Sequence, residues 1–398
     1  MTCTPSTPRL WIATAVCCAA LLAACGGGGD DEEERQQQQR AATVLAVQAR
    51  LKALQAQMPA SPGIVVQVLD RRSDLAWAGS VGVAERASGR PLTPQATFRT
   101  ASLTKSYTAA TVLRLAEQGS MATADPIERH LSPASVATLR AGGYDPAQIT
   151  VDHLLAHRSG LPDHALSLPY FEAVLADPQH RWSRAEQLAL AMSLGGPLFA
   201  PGTDYRYSDT GYLLLGEMIE RHTGLALGAA YRGLLRLPAL GIVNTYQESV
   251  DPVPATAGPR AKQDLLPGID DSMIDASSDL WGAGGLVADA RDLALFVRAL
   301  VDGRVLGATA QQAMLAVASP IAGVPGAPAE AAYARGLLRV QVDGDTCWGH
   351  DAFSGAFMLH CPGSGITVSG SLNASSLAGA PEAIEVALDL VRTVASVR

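Results

Sequence analysis

Lysine is nearly missing from this chain. Of the 30 basic residues among 398, only Lys52, Lys105 and Lys262 are lysines and the rest are arginines. Generic positive charge is therefore carried by arginine, and a retained lysine calls for a reason of its own. Cationic charge is scarce overall: the net charge is −8, without the basic stripe a polyanion needs, so nucleic acid is not an expected partner. Only 17% of residues are charged against 48% apolar, a balance that buries a sizeable core and excludes a disordered chain. No G-x-S-x-G is present, which excludes an α/β-hydrolase nucleophile elbow. His153 and His157 stand four apart but lack the glutamate of H-E-x-x-H, and Gly284-Gly285 has no phosphate-loop context, so neither a metal nor a nucleotide cofactor is expected. No repeat of solenoid period occurs.

The N-terminal apolar run, Leu10 to Leu22, is 13 residues long, short of the ~20 that span a bilayer as a helix. Preceded by Arg9 and followed by Leu22-Ala23-Ala24-Cys25, it reads as a secretion signal. The Cys25 context resembles the lipobox of bacterial lipoproteins, which implies cleavage before Cys25, acylation of its thiol and a membrane-anchored protein facing the periplasm or cell exterior. Gly26 to Arg40 holds no apolar residue and is expected to be a polar tether. The expected organisation is a signal peptide over 1–24, lipidated Cys25 and tether over 25–42, and one folded domain over 43–398. Only Cys347 and Cys361 would remain in that domain. They flank an expected hairpin and stand as either one disulfide or two buried thiols.

Val44, Val47, Leu51, Leu54 and Met58 recur at helical spacing from Ala41, ahead of Pro59. Strands are expected over Gly63–Leu69 and Leu75–Val83, a helix from Ser102 to Gln118, and helices at Gly211–His222 and Asp289–Val301 within a mainly helical stretch from about 122 to 330. Four strands follow, at Gly336–Val342, Thr346–His350, Ala356–Cys361 and Ile366–Leu372, and a helix over Pro381–Val397 closes the chain. Sheet segments at both ends with helices between them predict an α+β fold: an antiparallel sheet flanked by helices and carrying an inserted helical subdomain.

Ser102-Leu103-Thr104-Lys105 opens the expected helix. Residues three apart share a helix face, so hydroxyl and amine can meet. The helix N-terminus favours an oxyanion at Ser102, and a lysine, unlike an arginine, can serve as a base there. Tyr207-Ser208-Asp209 adds a phenol that, near an amine, is expected to lose its proton more easily than usual. Gly349-His350-Asp351-Ala352 completes a series of three.

In order and spacing these motifs resemble those of class C β-lactamases, D-alanyl-D-alanine carboxypeptidases and related esterases. His153 to Pro162 and Ala283 to Val287 match the same family, and the resemblance spans about residue 45 to 395. It implies a β-lactamase/transpeptidase-like fold and an acyl-enzyme on Ser102, with Lys105 and Tyr207 moving protons. It also implies an oxyanion hole formed by the N–H groups of Ser102 and Phe353. Two residues depart from the family pattern. Asp209 replaces an asparagine and would oppose Lys105 as a free base, which shifts that role to Tyr207; Ala352 replaces a glycine and narrows the approach to the strand. Asp351 is expected to repel substrate carboxylates. The expected activity is therefore hydrolysis of an ester, amide or D-amino-acid peptide, with small-molecule or peptidoglycan-derived substrates. A β-lactamase and a non-catalytic envelope binding protein of the same fold are the alternatives.

Overall fold

Residues 30–59, 61–321, 328 and 330–397 are described by the computed structural model, so the signal segment and Cys25 lie outside the described residues. The chain enters through α1 (Asp30–Gln57), whose stripe of Val47, Leu51 and Leu54 is buried. It continues into the hairpin of β1 (Gly63–Asp70) and β2 (Leu75–Glu85). After β3 (Arg90–Pro91) and β4 (Thr97–Arg99), a 3-10 turn over Ala101–Leu103 leads into α2 (Thr104–Glu117). A helical stretch follows: α3 (Pro133–Ala141), α4 (Val151–Leu155), α5 (Leu168–Ala176), α6 (Arg184–Ser193), α7 (Asp209–Thr223) and α8 (Leu227–Leu234). Short strands β5 (Tyr246–Gln247), β6 (Asp264–Leu266), β7 (Ile269–Asp270) and β8 (Leu286–Asp289) precede α9 (Ala290–Val301) and α10 (Ala308–Leu315). The chain then returns to strands with β9 (Ser319–Pro320), β10 (Ala332–Tyr333), β11 (Leu338–Val342), β12 (Asp345–Asp351), β13 (Ala356–Cys361) and β14 (Ile366–Ser371). It ends in α11 (Ala383–Ala395).

One nine-stranded antiparallel sheet runs β3-β2-β1-β14-β13-β12-β11-β10-β9. The first and last strands in chain order, β1 and β14, therefore pair inside the sheet. Alternation along each strand assigns the faces. Ile64, Val66 and Val68 of β1 and Phe357, Leu359 and Cys361 of β13 pack with α1 and α11, whereas Val65, Ala356 and Met358 join the core that holds α2, α7, α8 and α9. Cys347 and Cys361 are joined by a disulfide on the α11 face, which settles the choice between a bridge and free thiols.

Two boundaries differ from the sequence reading. The polar segment expected as an unstructured tether up to Arg40 is helical from Asp30. Its Glu, Gln and Arg residues are good helix formers. Glu32 accepts from Arg35 at 2.8 Å and from Gln36 at 3.4 Å, and the docked half beyond Thr43 supplies the nucleus that a polar helix lacks by itself. The helical insertion is also narrower than 122–330, because α9 packs directly on β1, β13 and β14 and belongs to the layer over the sheet.

Candidate active site

The nucleophile's turn is fastened to the small sheet β4-β8-β5. Thr100 donates to Leu286 O through both its N–H, at 2.9 Å, and its hydroxyl, at 3.0 Å. Ala101 then takes φ +42, a left-handed backbone that a residue with a Cβ adopts only where its surroundings hold it. That kink delivers Ser102 to the mouth of α2, with Lys105 one turn on and wholly buried. Gly336 (φ +73) lets the segment before β11 press on this turn, since a Cβ there would stand 2.7 Å from Lys105 O; Ser106 Oγ donates to Gly336 O at 2.5 Å.

Lys105 Nζ donates to Ser102 Oγ at 2.9 Å and to Ala283 O at 3.0 Å, and pairs with Asp209 Oδ1 at 2.7 Å. Tyr207 OH donates to Ser102 Oγ at 3.0 Å. The hydroxyl, amine and phenol named from the sequence thus converge, and Asp209 lies against the ammonium as its position in the motif implied. The expectation that Tyr207 sheds its proton easily is overturned. Burial, and after it the charge of Asp209, push the phenol pKa well above its usual value, with only the Ser102 bond acting against them. The ammonium that was to ease ionisation is already matched by Asp209. Both neighbours of Ser102 Oγ are hydrogen-bond donors at rest, so a proton must leave the Lys105–Tyr207 pair before Ser102 can give up its own.

Two further carboxyls crowd this ion pair. Asp163 Oδ1 accepts the Asp209 N–H at 3.3 Å and the Ala165 N–H at 3.1 Å. Asp279 lines a small cavity together with Asp209 and Ala283. Burial first, then the Asp209 charge, push both carboxyl pKa values up to about 7. For Asp279 the sign is clear: its stabilising proton is present below its ordinary pKa of 3.8 and is lost as pH rises through about 7. Asp279→Asn should therefore raise the Tm at pH 8 but change it little at pH 4, as read by calorimetry. Equal shifts at both pH values would refute this electrostatic picture.

β12 shows its two faces at the third motif. His350 is buried on the site side, where its Nε2 meets Tyr333 OH at 3.2 Å and its Nδ1 meets Asp351 O at 2.6 Å. Burial, then the Lys105 charge, push its pKa down to about 4. Asp351 points the other way. Its carboxyl takes the Ile384 N–H at the start of α11, with burial and then Glu382 pushing its pKa up to about 6. The sequence expectation that Asp351 repels substrate carboxylates is thereby corrected, because adjacent residues of a strand face opposite sides. Ala352 is buried and donates to Ala356 O at 2.9 Å. Phe353 follows in the turn with an exposed side chain.

Sequence reasoning missed Gln263. Its side chain accepts from Arg99 N–H at 2.8 Å and donates to Arg99 O and to Ser354 O, each at 3.1 Å. One buried amide thus ties the strand before Ser102 to the turn that carries Phe353. A lone glutamine in a loop carries no spacing by which to find it. His153, weighed from the sequence as a metal ligand, instead caps α4: its Nδ1 accepts the Thr150 N–H at 3.2 Å.

A serine hydroxyl held between a buried lysine and a tyrosine at a helix N-terminus, over an antiparallel sheet, defines the class of serine acyl hydrolases that work through an S-x-x-K pair. The chain belongs to the Beta-lactamase family, whose model matches residues 50–391. Esterase EstB of Burkholderia gladioli is 34% identical over 191 residues, 47% of this chain and 47% of the esterase. The D-alanyl-D-alanine-carboxypeptidase/endopeptidase AmpH of Escherichia coli (strain K12) is 26% identical over 224 residues, 51% of this chain and 56% of that protein. The chain thus spans about half the length of these curated relatives. Among solved structures, a D-stereospecific amidohydrolase from Streptomyces sp. superposes with a TM-score of 0.68 at 29% identity, over 84% of this chain and 94% of that one.

Proposed function

We propose that the protein is an exported, lipid-anchored hydrolase that opens esters or amides through an acyl-enzyme on Ser102. The convergence of Lys105 Nζ and Tyr207 OH on Ser102 Oγ, at 2.9 and 3.0 Å, carries the hydrolase reading, and the Leu22-Ala23-Ala24-Cys25 sequence after an apolar run supports export and the anchor. Tyr207 first gives its proton to bulk water, and the phenolate then takes the Ser102 proton as Oγ bonds to the substrate carbonyl carbon. The resulting oxyanion sits between the N–H groups of Ser102 and Phe353, donors of a kind worth roughly 3 kcal/mol of barrier each. The carbonyl re-forms, the leaving group departs with the proton held by Tyr207, and water cleaves the acyl-enzyme by the same route.

Asp209 matches Lys105 at 2.7 Å, so the buried ammonium beside the nucleophile offers no unpaired positive charge to a substrate carboxylate. This pairing favours uncharged acyl groups over penicillins, whose carboxylate would find no free cation at Lys105. The second reading, a β-lactamase, is therefore the weaker one. The test is turnover of p-nitrophenyl esters, D-amino-acid amides and a penicillin by wild type and Ser102→Ala. Ester or amide hydrolysis at least about tenfold above penicillin hydrolysis, abolished by Ser102→Ala, supports the reading. No turnover of any of the three returns the chain to the non-catalytic binding class.

A further inference from the structure

The stretch from His153 to Pro162 contains a buried imidazole that the acyl-transfer steps leave unused. His157 is 1% exposed. Its Nδ1 accepts the Ser208 N–H at 3.1 Å, and its carbonyl accepts the Arg206 N–H at 2.9 Å. The residues on both sides of Tyr207 are thus fastened to one residue. Its ring lies 4.3 Å from the Tyr207 ring at an interplanar angle of 32°, and Tyr212 at 5.0 Å and Tyr333 at 4.6 Å pack against it. An Nδ1 that accepts places the imidazole proton on Nε2, and that nitrogen has no hydrogen-bond partner. Burial, then the Lys105 charge, hold the pKa well below its usual value, so the ring stays neutral beside the ammonium. His157 also takes φ +55, backbone strain of the sort that persists at working sites.

We propose that His157 is a positioning residue for acyl transfer, holding the 206–208 backbone by hydrogen bonds and seating the Tyr207 ring so that its phenol meets Ser102 Oγ. The proposal rests on the serine-hydrolase reading above. It goes beyond that reading by giving this imidazole a task that is neither metal binding nor proton transfer.

Two variants divide the task. His157→Asn keeps a side-chain acceptor for Ser208 N–H and suits a left-handed backbone, but removes the ring. His157→Phe keeps a ring and removes the acceptor. Ser102 labelling by a fluorophosphonate is timed from pH 6 to pH 10, per folded molecule by circular dichroism, in wild-type and Tyr207→Phe backgrounds. Each variant should slow labelling by roughly 10- to 100-fold and alter its pH profile in the wild-type background. With Tyr207→Phe already present, the same change should alter the rate less than about twofold, because coupled residues are not additive. Folded variants that label at the wild-type rate would overturn the proposal, as would equal slowing in both backgrounds. If one variant fails to fold, the other decides. Failure of the wild type itself to label would instead refute the hydrolase reading.

Discussion

Tyr207→Phe should leave the fold intact and slow acylation of Ser102 by about 10²- to 10⁴-fold, the contribution of a well-placed proton-transfer group. The substitution deletes one oxygen and keeps the ring that packs beside His157 at 4.3 Å and under Lys105 Nζ at 4.9 Å. Ser102 Oγ would still receive the Lys105 hydrogen bond, so positioning by the amine survives and only the proton acceptor is lost. The phenol pKa is raised in the folded protein, so wild-type acylation should climb with pH from neutral into the alkaline range. The variant's rate should stay flat over the same interval. Stopped-flow acylation by an activated ester at a series of pH values reads both quantities. A variant within about threefold of wild type at pH 9 would remove Tyr207 from the proton path.

Asp209→Asn should do the opposite near neutrality and speed acylation. The Asp209 charge is the second-largest cause raising the Tyr207 pKa, after burial, and it lies 2.7 Å from Lys105 Nζ. Removing it lowers the pH at which the phenolate forms, so the alkaline rise should move down by about one to three pH units, the usual effect of a close charge. At a fixed pH below that rise, the rate should increase by about 10- to 1000-fold. An amide in place of the carboxylate still accepts a hydrogen bond from the ammonium, which limits the structural disturbance. Asparagine is also the residue that the resembled family carries here, so the variant measures what the departure costs. An unchanged pH profile would mean that Asp209 tunes nothing and merely fills space.

Most of the frame could be read before the coordinates. The β1-β2 hairpin, α2, β11 to β14 and α11 fall within a few residues of their expected places, because each combines a clear period with glycine, proline or acidic punctuation. Ser102 and Lys105 were legible because S-x-x-K sets a hydroxyl and an amine on one helix face, and Tyr207 because the three motifs together resemble those of the β-lactamase-related family. The raised Tyr207 pKa was not legible, since it depends on burial and on where Asp209 points, and neither is a local property. Strand parity could have placed Asp351, which shares its face with Cys347 two strand repeats earlier, whereas His350 takes the opposite face. Composition misled at residues 30–40, where a polar run continues a helix that is docked elsewhere along its length. Gln263 and His157 act through hydrogen bonds to backbone far away in sequence, contacts for which a single chain carries no pattern.

Intact-mass spectrometry of the protein quenched during reaction with a slowly deacylated ester probes the central claim most directly. The account predicts one added acyl group, mapped by peptide analysis to Ser102, in wild type and none in Ser102→Ala. Turnover with no adduct at Ser102, or an equal adduct on the alanine variant, would contradict it.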